Sequence, residues 1–385
     1  MATNANAGLT AARTNKDDEY YTQFDDIQAE LSHYSAHFEG KTVLCNCDDP
    51  FESNFFKYFA LHFRRLGIKK LIASCYFGSP VQGEQLSLYD LNGMSKIDAE
   101  TRRPYKIEIT EIPDANGDGA IDLSDVKHLL RHDANVLTVL KGSGDFRSEE
   151  CLALLDEADI VVTNPPFSLF REYLPTLIKH GKRFLIIGSV NAITYKEVFP
   201  LIRDNQMWLG HGFRGGNAYF RAPKADAKSY AAGVYDPTTG LVKFRNAAWF
   251  TNLDHEKRHE NLILTEKYSP ERYPPYDNYD AIEVSKVADI PEDWTGAMGV
   301  PITFLDKYSP EQFQILGNDD IGYPATKTYG AKTKVIDGVP SKSNTGMLRC
   351  VLRAGSFGLG TFFDVGYPVK GLYRRVFIRR IGATS

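Results

Sequence analysis

The chain has 385 residues, enough for two or three domains of about 150 residues with sizeable cores. With 43% hydrophobic and 24% charged residues, it is neither a disordered nor a fibrous chain. No stretch reaches the ~18 consecutive apolar residues of a membrane helix, and the N-terminus lacks the basic start and apolar core of a secretory signal. The five cysteines form no CxxC pair. These features predict a cytoplasmic protein with reduced thiols and no membrane partner.

The formal net charge of −4 hides an uneven distribution along the chain. Residues 1–170 carry a net charge of −11 and residues 261–320 carry −8, whereas residues 171–260 carry +6 and residues 321–385 carry +9. Two basic segments separated by acidic ones are either the footprint of a polyanion such as nucleic acid or scattered surface charge. Charge alone leaves both interpretations open.

The first part of the chain alternates strands and helices. Residues 1–15 are small and polar, which predicts a disordered tail. Apolar spacing then predicts a helix over 27–38, a strand over 41–47, a helix over 53–66 and a strand over 70–76. A strand, a helix and a second strand at this spacing form a βαβ unit, which implies a parallel sheet.

A polar, Gly-containing insertion over 78–140, with a strand near 105–112, interrupts this alternation. The alternation resumes with a helix over 149–156, a strand over 159–163, a helix from a Ser168 cap to about residue 180, and a strand over 182–189. We therefore predict a doubly wound, mostly parallel α/β sheet, which binds ligands outside the carboxyl ends of its strands. Beyond about residue 215 the sequence becomes rich in Gly, Pro and Tyr, with short irregular strands.

Asn164-Pro165-Pro166-Phe167 directly follows a predicted buried strand. The side-chain oxygen of Asn164 and the carbonyl of Pro165 can each accept an N–H of an exocyclic amino group such as adenine N6, which stabilises the positive charge that develops during methylation. The two prolines hold these acceptors rigidly, and Phe167 offers a face on which an extruded base can stack. The alternative is a strand-terminating Pro-Pro turn with an incidental aromatic side chain.

Longer stretches carry a family resemblance, and they are Asp17–Gln23, Cys45–Pro50, Ser53–Phe59, Leu71–Tyr76, Gly144–Ser148, Asp159–Phe170, Ile193–Phe199, Tyr276–Ile282 and Gly299–Leu305. In these stretches the chain resembles the EcoRI-type adenine-specific DNA methyltransferases. The resemblance covers most of the chain except roughly 78–140, parts of 215–245 and the C-terminal tail.

This resemblance implies N6-methylation of adenine in double-stranded DNA by base flipping, with S-adenosylmethionine as the methyl donor. It implies a class I methyltransferase-like catalytic domain over 16–215, interrupted by the 78–140 insertion, and a DNA target-recognition region over 216–385. The donor-binding residues that it implies are Tyr20, Tyr21, Thr22, Asp48, Asp49, Pro50, Asp145 and Phe146.

Two features depart from general class I methyltransferases. The first loop, Asp48–Glu52, has no glycine, and the second strand ends in Ser-Cys-Tyr where many enzymes have an acid for the donor ribose. Tyr76 and Asp49 are therefore alternative ribose contacts. Asp48 and Asp49 can also act only as caps for the following helix.

The basic segments after the catalytic motif supply candidate DNA contacts, which are Arg214, Lys243, Arg245, Arg374 and Arg375. For these clusters a solvated surface is the alternative to phosphate contact. The resemblance further implies a bacterial, nucleoid-associated cytoplasmic protein of a restriction-modification system, with a cognate restriction endonuclease as a partner that acts separately.

A second motif is independent of methyl transfer. Asp114, Asn116, Asp118, Asp122 and Asp125 place oxygen ligands at positions 1, 3, 5, 9 and 12 of a calcium loop, with glycine at position 6. A helical run follows the loop, while the segment before it resembles a strand, so only half of an EF-hand is present. The loop is either a structural calcium site or an Asx-rich turn that caps a helix without calcium.

Two other classes of function stay open on sequence alone. One is an amino methyltransferase that acts on cytosine N4, RNA or protein glutamine, because Asn-Pro-Pro-aromatic motifs serve several amino and amide acceptors. The other is a non-catalytic DNA- or calcium-binding module. Binding of S-adenosylmethionine discriminates the enzymes from the module, and methyl incorporation into different substrates discriminates the enzymes from one another.

Overall fold

The computed structural model describes residues 21–47, 50, 53–75, 104–132, 136–221, 230–330, 332–342, 348–353 and 360–382. The chain divides into two compact units. The first contains residues up to 193 together with 209–255, and the second contains 194–208 and the chain from 256 onwards. Residues 216–255, which the sequence analysis assigns to the recognition region, thus belong to the same compact unit as the catalytic motif. The functional division near residue 215 stays a prediction.

The first unit builds two sheets from short strands. They are β1 (Tyr21–Thr22), β2 (Thr42–Cys45), β3 (Lys70–Ser74), β4 (Tyr105–Ile109), β5 (Leu137–Val139), β6 (Ile160–Thr163), β7 (Arg183–Ser189), β8 (Trp208–Leu209, at the boundary), β9 (Ala218–Arg221), β10 (Tyr235–Asp236), β11 (Leu241–Phe244) and β12 (Ala247–Thr251). The large sheet has the order β5-β4-β3-β2-β6-β7-β12-β8, and the small one has the order β1-β9-β11-β10.

The helices of the first unit are α1 (Phe24–Leu31), α2 (Asn54–Leu61), α3 (Leu123–His132), α4 (Glu149–Glu157) and α5 (Phe170–Lys179). Ser53 caps α2, since its hydroxyl accepts the backbone N–H of Phe56 at 3.4 Å. The aromatic side chains of α2 are buried in the core, as its predicted apolar face requires.

The large sheet is mixed and not mostly parallel. Its four central strands, β3-β2-β6-β7, pair in parallel, whereas β4 and β5 on one side and β12 on the other pair antiparallel to their neighbours. The central strands β2 and β6 are buried along their whole length, as expected for parallel strands covered on both faces. The chain is therefore a mixed α/β protein whose parallel centre carries the candidate motif.

Three local predictions differ from the structure. The helix expected over 53–66 ends at Leu61 and is followed by turns. The helix expected over 27–38 is α1 followed by a 3₁₀ helix over Ser32–His37. The Ser168 cap is wrong, because the chain first makes a 3₁₀ turn over Phe167–Leu169 and α5 begins at Phe170 without a side-chain cap. The prolines that precede Phe167 keep the chain extended up to that turn, so the helix starts later than its apolar pattern indicates.

Among its described residues, the second unit contains one short α-helix and two sheets. Its elements are α6 (Phe199–Arg203), β13 (Ile282–Glu283), β14 (Met298–Pro301), β15 (Phe313–Asn318), β16 (Thr333–Ile336), β17 (Val339–Pro340), β18 (Cys350–Arg353), β19 (Thr361–Asp364), β20 (Pro368–Leu372) and β21 (Arg375–Arg380). The two sheets have the orders β13-β14-β21-β15 and β17-β16-β19-β20-β18. All five cysteines lie within the described residues, and none of them forms a disulfide there.

Candidate active site

The Asn-Pro-Pro-Phe motif lies at the carboxyl end of β6, beside the end of its parallel neighbour β2. Asn164 is buried, with 6% of its surface exposed, and Pro165 is buried next to it. The hydroxyl of Thr163 donates a hydrogen bond to the backbone carbonyl of Asn46, which joins the ends of the two strands. The motif therefore starts from a fixed point at the carboxyl edge of the sheet, where a doubly wound arrangement places its ligands.

Asn46 also receives a hydrogen bond from α5. The hydroxyl of Tyr173 donates to Asn46 Oδ1 at 2.5 Å, and burial raises the pKa of Tyr173 well above its ordinary value, so the phenol stays a neutral donor. The next residue, Cys47, has a φ of 77°, a left-handed conformation that glycine adopts at lower cost. The chain thus takes a left-handed turn at Cys47, directly before the first loop.

Phe167 is half-buried against an aromatic wall from the small sheet. Its ring lies edge-on to Phe220 of β9 and Phe244 of β11, with centroid distances of 6.3 and 5.9 Å. These two rings also pack against each other at 5.1 Å. The wall fixes the orientation of the Phe167 ring, which is what a stacking platform for a base requires.

The same small sheet brings the predicted N-terminal donor residues to this wall. In β1, Tyr21 and Thr22 pair with β9, and Thr22 stands opposite Phe220. The side-chain amide of Asn54, at the start of α2, donates to the carbonyl of Thr22 at 2.7 Å. Residues from the N-terminus, the first loop region and the catalytic motif therefore converge in one unit.

In the described part of the site, the hydroxyl oxygen of Thr22 is a buried polar atom that suits a hydrogen bond with a polar ligand. Thr22 is 1% exposed, and its hydroxyl has no hydrogen-bond partner within the described residues. A buried hydroxyl without a partner costs free energy, which a bound polar group or an ordered water offsets. The buried hydroxyl of Thr22 thus favours the presence of a polar ligand at this wall.

Asp145 and Phe146 reach the same region through Tyr173. The Phe146 ring is buried and lies edge-on to the Tyr173 ring at 5.1 Å. Asp145 forms an ion pair with Arg147 at 2.7 Å, and the hydrogen bond from this guanidinium lowers the pKa of Asp145. Phe146 therefore places a buried aromatic ring beside Tyr173, while Asp145 already has a cationic partner.

Four predicted donor contacts lie outside the described residues, namely Tyr20, Asp48, Asp49 and Tyr76. Pro50 is described and buried. Four residues around the motif were not predicted from the sequence, namely Asn46, Tyr173, Phe220 and Phe244. A signal existed for the last two, because the strands Ala-Tyr-Phe-Arg and Leu-Val-Lys-Phe each carry an aromatic residue on one face. Their partner Phe167, however, lies more than fifty residues earlier, beyond the reach of any local pattern.

Three candidate DNA contacts lie in the first unit. Arg214 and Arg245 are exposed, and Lys243 is half-buried with its ammonium group 5.8 Å from the centre of the Tyr219 ring. Phe244, the neighbour of Lys243 in β11, points toward Phe167. Because successive side chains of a strand point to opposite faces, Lys243 points away from that ring.

The other two candidates are engaged in ion pairs of the second unit. Arg375 donates to both carboxylate oxygens of Glu283, at 2.7 and 3.0 Å, with only 11% and 3% of the two side chains exposed. Arg374 donates to Asp320 at 3.0 Å. A guanidinium enclosed with its carboxylate cannot reach a phosphate. The predicted DNA contact at Arg375 is therefore wrong, and Arg375 has a structural role. The count of basic residues in this segment did not predict these ion pairs, because the compensating carboxylates lie far away in sequence.

The calcium-like loop satisfies its own backbone. Asp114, Asn116, Asp118, Asp122 and Asp125 each accept at least one backbone N–H from within the loop. Among the described residues, the carboxylates of the four aspartates do not converge into a metal-binding group. Helix α3 follows the loop as predicted. The geometry is that of an Asx-rich turn, and it gives calcium no support.

Comparison with known proteins places this site in a family. The model of the family "Adenine-specific methyltransferase EcoRI" matches residues 8–350. The chain is 48% identical over 320 residues to "Type II methyltransferase M.EcoRI" of Escherichia coli, which covers 82% of this chain and 90% of that protein. It is 36% identical over 316 residues to "Type II methyltransferase M.MpnI" of Mycoplasma pneumoniae, which covers 79% of this chain and 83% of that protein.

No solved structure gave a significant match. Within the described residues, no helix is long and apolar enough to cross a membrane. The family match includes the Asn-Pro-Pro-Phe motif, the N-terminal strand and most of the second unit. The chain belongs to the EcoRI family of adenine-specific methyltransferases.

Proposed function

We propose that this enzyme transfers a methyl group from S-adenosylmethionine to the N6 amino group of adenine at specific sites in double-stranded DNA. The observation that carries the proposal is the position of buried Asn164, directly after β6 and beside an aromatic residue held edge-on by Phe220 and Phe244. When bound, the donor supplies an electrophilic methyl group on a sulfonium. The acceptor must then be oriented and polarised by the chain itself.

Asn164 and Pro165 perform the polarisation. The lone pair of an exocyclic amino nitrogen is delocalised into its ring, so that nitrogen is a weak nucleophile. The Asn164 side-chain oxygen and the Pro165 carbonyl each accept one N–H, which pulls the nitrogen toward tetrahedral geometry and stabilises its developing positive charge. Their burial strengthens both interactions, since less water screens them.

Phe167 positions the base. An adenine inside a duplex cannot reach a buried acceptor pair, so it must leave the base stack. The Phe167 ring, held by two edge-on aromatic neighbours, provides a surface of fixed orientation for the extruded base. Holding the amino group in line with the methyl group supplies much of the rate acceleration, because the reaction becomes effectively intramolecular.

Donor binding is assigned to the wall that carries β1. The buried hydroxyl of Thr22 fits a polar group of the donor, and Phe146 supplies apolar surface for its adenine. The net charge of −11 in residues 1–170 favours a cationic ligand. We assign the parallel strands β3-β2-β6-β7 to the centre of a doubly wound class I fold, residues 16–215 to catalysis and residues 216–385 to DNA recognition.

The wider biological setting is part of this proposal. Relatives of this chain are named type II methyltransferases. We infer that this enzyme protects DNA in the cytoplasm of a bacterium whose cognate restriction endonuclease acts separately on the same sequence.

Methyl incorporation tests the proposed reaction. Tritiated donor is supplied with DNA, RNA or protein acceptors, and Asn164→Ala is compared with Asn261→Ala, a control that removes an exposed asparagine side chain. We expect label in adenine of duplex DNA, loss of at least 100-fold in Asn164→Ala, unchanged turnover in the control, and similar donor binding in all three proteins. Label in cytosine, RNA or protein instead would replace the proposed acceptor, and turnover retained in Asn164→Ala would overturn the proposed mechanism.

A further inference from the structure

The Tyr276–Ile282 stretch of the family resemblance has no role in the chemistry above. In the structure it holds β18, the edge strand of the five-stranded sheet. The backbone N–H of Asp277 donates to the carbonyl of Val351 at 2.8 Å, and the N–H of Val351 donates to the side chain of Asn278 at 3.0 Å. The stretch therefore takes the place of a further strand along β18 and fixes the position of its last residue, Arg353.

The carboxylate of Asp277 is the centre of a polar cluster on this sheet. Its side chain is only 4% exposed. Oδ2 accepts hydrogen bonds from the hydroxyls of Tyr367 and Tyr329, at 2.6 and 2.8 Å, and lies 3.3 Å from the ammonium group of Lys327. Oδ1 accepts from Nε of Arg353 at 2.8 Å. Burial alone would raise the pKa of Asp277, but these donors outweigh it and hold that pKa well below its usual range, so the carboxylate stays charged.

The guanidinium of Arg353 is bound at Nε and exposed at its terminal nitrogens. Its Nε is bound by Asp277, and its guanidinium carbon lies 5.0 Å from the centre of the Tyr367 ring. The side chain is nevertheless 71% exposed. Among the described residues, its two terminal nitrogens make no hydrogen bond. The cluster thus fixes the plane of the guanidinium and presents its terminal N–H fork to solvent.

The surroundings of this fork suit an anionic or acceptor-rich partner. Asp277, Lys327 and Arg353 together carry a net charge of +1. Lys334 lies on the same face of the sheet as Arg353, because the register pairs Lys334 with Phe363, Phe363 with Val369, and Val369 with Arg353. The ammonium group of Lys332 lies 5.2 Å from the Phe363 ring. Residues 321–385 as a whole carry +9. An ordinary surface ion pair requires neither two tyrosines nor a buried carboxylate to orient one arginine.

We propose that Arg353 is a DNA contact and that its terminal N–H groups donate to a pair of acceptors on the duplex, with Asp277 and Tyr367 as positioning residues. The acceptors are the O6 and N7 of a guanine or the oxygens of a phosphate, which a guanidinium fork matches equally in chemistry. This inference rests on the proposed function. It adds a residue beyond position 350, where the family match ends.

The test compares Arg353→Ala and Arg353→Lys with Lys286→Ala, which removes an exposed positive charge from the same unit. Binding is measured on DNA that contains the methylated site, across a range of salt concentrations, and the methylated sites are mapped by sequencing. We expect Arg353→Ala to weaken binding by roughly 5- to 150-fold, the loss of one bidentate contact, and Lys286→Ala to stay within about twofold of the parent.

Sequence specificity distinguishes the two acceptors. If the fork reads guanine, Arg353→Ala relaxes specificity, so that methylation spreads to sites with another base at one position. If it binds phosphate, Arg353→Lys restores most of the affinity, and Arg353→Ala lowers the salt dependence by about one released counterion. If both variants match Lys286→Ala in affinity, specificity and salt dependence, the inference is wrong. Because the parent protein must methylate DNA in the same assay, that result leaves the proposed function intact.

The positioning role of Asp277 has its own readout. We expect Asp277→Asn to weaken DNA binding in the parent but to add little in the Arg353→Ala background, because the two residues act through one contact. Thermal unfolding of each variant separates this coupling from a loss of stability. Equal losses of affinity in both backgrounds would make Asp277 a purely structural residue and would remove it from the proposal.

Discussion

We expect Arg375→Ala to destabilise the second unit strongly. DNA binding by the folded variant should stay nearly unchanged. Arg375 and Glu283 share two hydrogen bonds of 2.7 and 3.0 Å, and Tyr276 also donates to Glu283. Only 3% of the Glu283 side chain is exposed. Arg375→Ala leaves this carboxylate buried without its cation, and breaking such a pair costs about 3–5 kcal/mol.

The assay is urea unfolding followed by tryptophan fluorescence, with the free energy of unfolding compared among variants. Arg374→Ala is the matched control, because Arg374 is one-third exposed and pairs with the more exposed Asp320. We expect its cost to be about 1 kcal/mol or less. Replacing Arg375 and Glu283 together by methionine removes both charges and is expected to recover much of the stability.

Two results would refute this reasoning. A loss below about 1 kcal/mol in Arg375→Ala would mean that the pair is not buried as described. A folded Arg375→Ala protein whose DNA binding has lost about one counterion of salt dependence would return Arg375 to the phosphate contacts that charge counting predicts.

Three further predictions concern the first unit. Burial raises the pKa of the Glu30 carboxyl to about 7, so the folded state binds a proton more tightly than the unfolded state. The free energy of unfolding therefore falls by up to about 3 kcal/mol as pH rises from about 4.5 to 7. Glu30→Gln should remove this pH dependence, and an identical pH dependence in the variant would exclude Glu30 as its source. Thr22→Val should weaken donor binding measured by calorimetry without changing DNA binding, whereas unchanged donor affinity would remove Thr22 from the pocket. Phe167→Leu should lower methylation of duplex DNA by roughly 5- to 150-fold at saturating donor, and full activity would show that the base does not stack there.

Local sequence patterns predicted the parts of the fold that local physics determines. The strands around Val43 and Val161 follow from apolar runs, and the helix that begins after Ser53 follows from helical spacing. The apolar run over 159–163 also predicted that the Asn-Pro-Pro-Phe motif follows a strand at the carboxyl edge of the sheet. Ser168 failed as a cap, since the preceding prolines delay the helix.

Contacts between distant segments were not predictable in this way. The pairing of β1 with β9 and the aromatic wall of Phe220 around Phe167 join residues far apart in sequence. The same holds for charge, since Arg375 finds its partner Glu283 ninety-two residues earlier. A count of basic residues therefore predicted a DNA contact at Arg375, which is in fact enclosed. It did not single out Arg353, which we propose as a DNA contact because of its geometry beside Asp277.

The most direct test of the central claim is the amount of N6-methyladenine in DNA from cells that express this protein, measured by mass spectrometry of the hydrolysed nucleosides. We predict N6-methyladenine in cells that express the parent protein, at levels well above those of cells without it, and background levels in cells that express Asn164→Ala at equal abundance. Methylation of another base, or equal N6-methyladenine in the parent and the Asn164→Ala cells, would contradict the assignment of Asn164 as the acceptor that activates adenine.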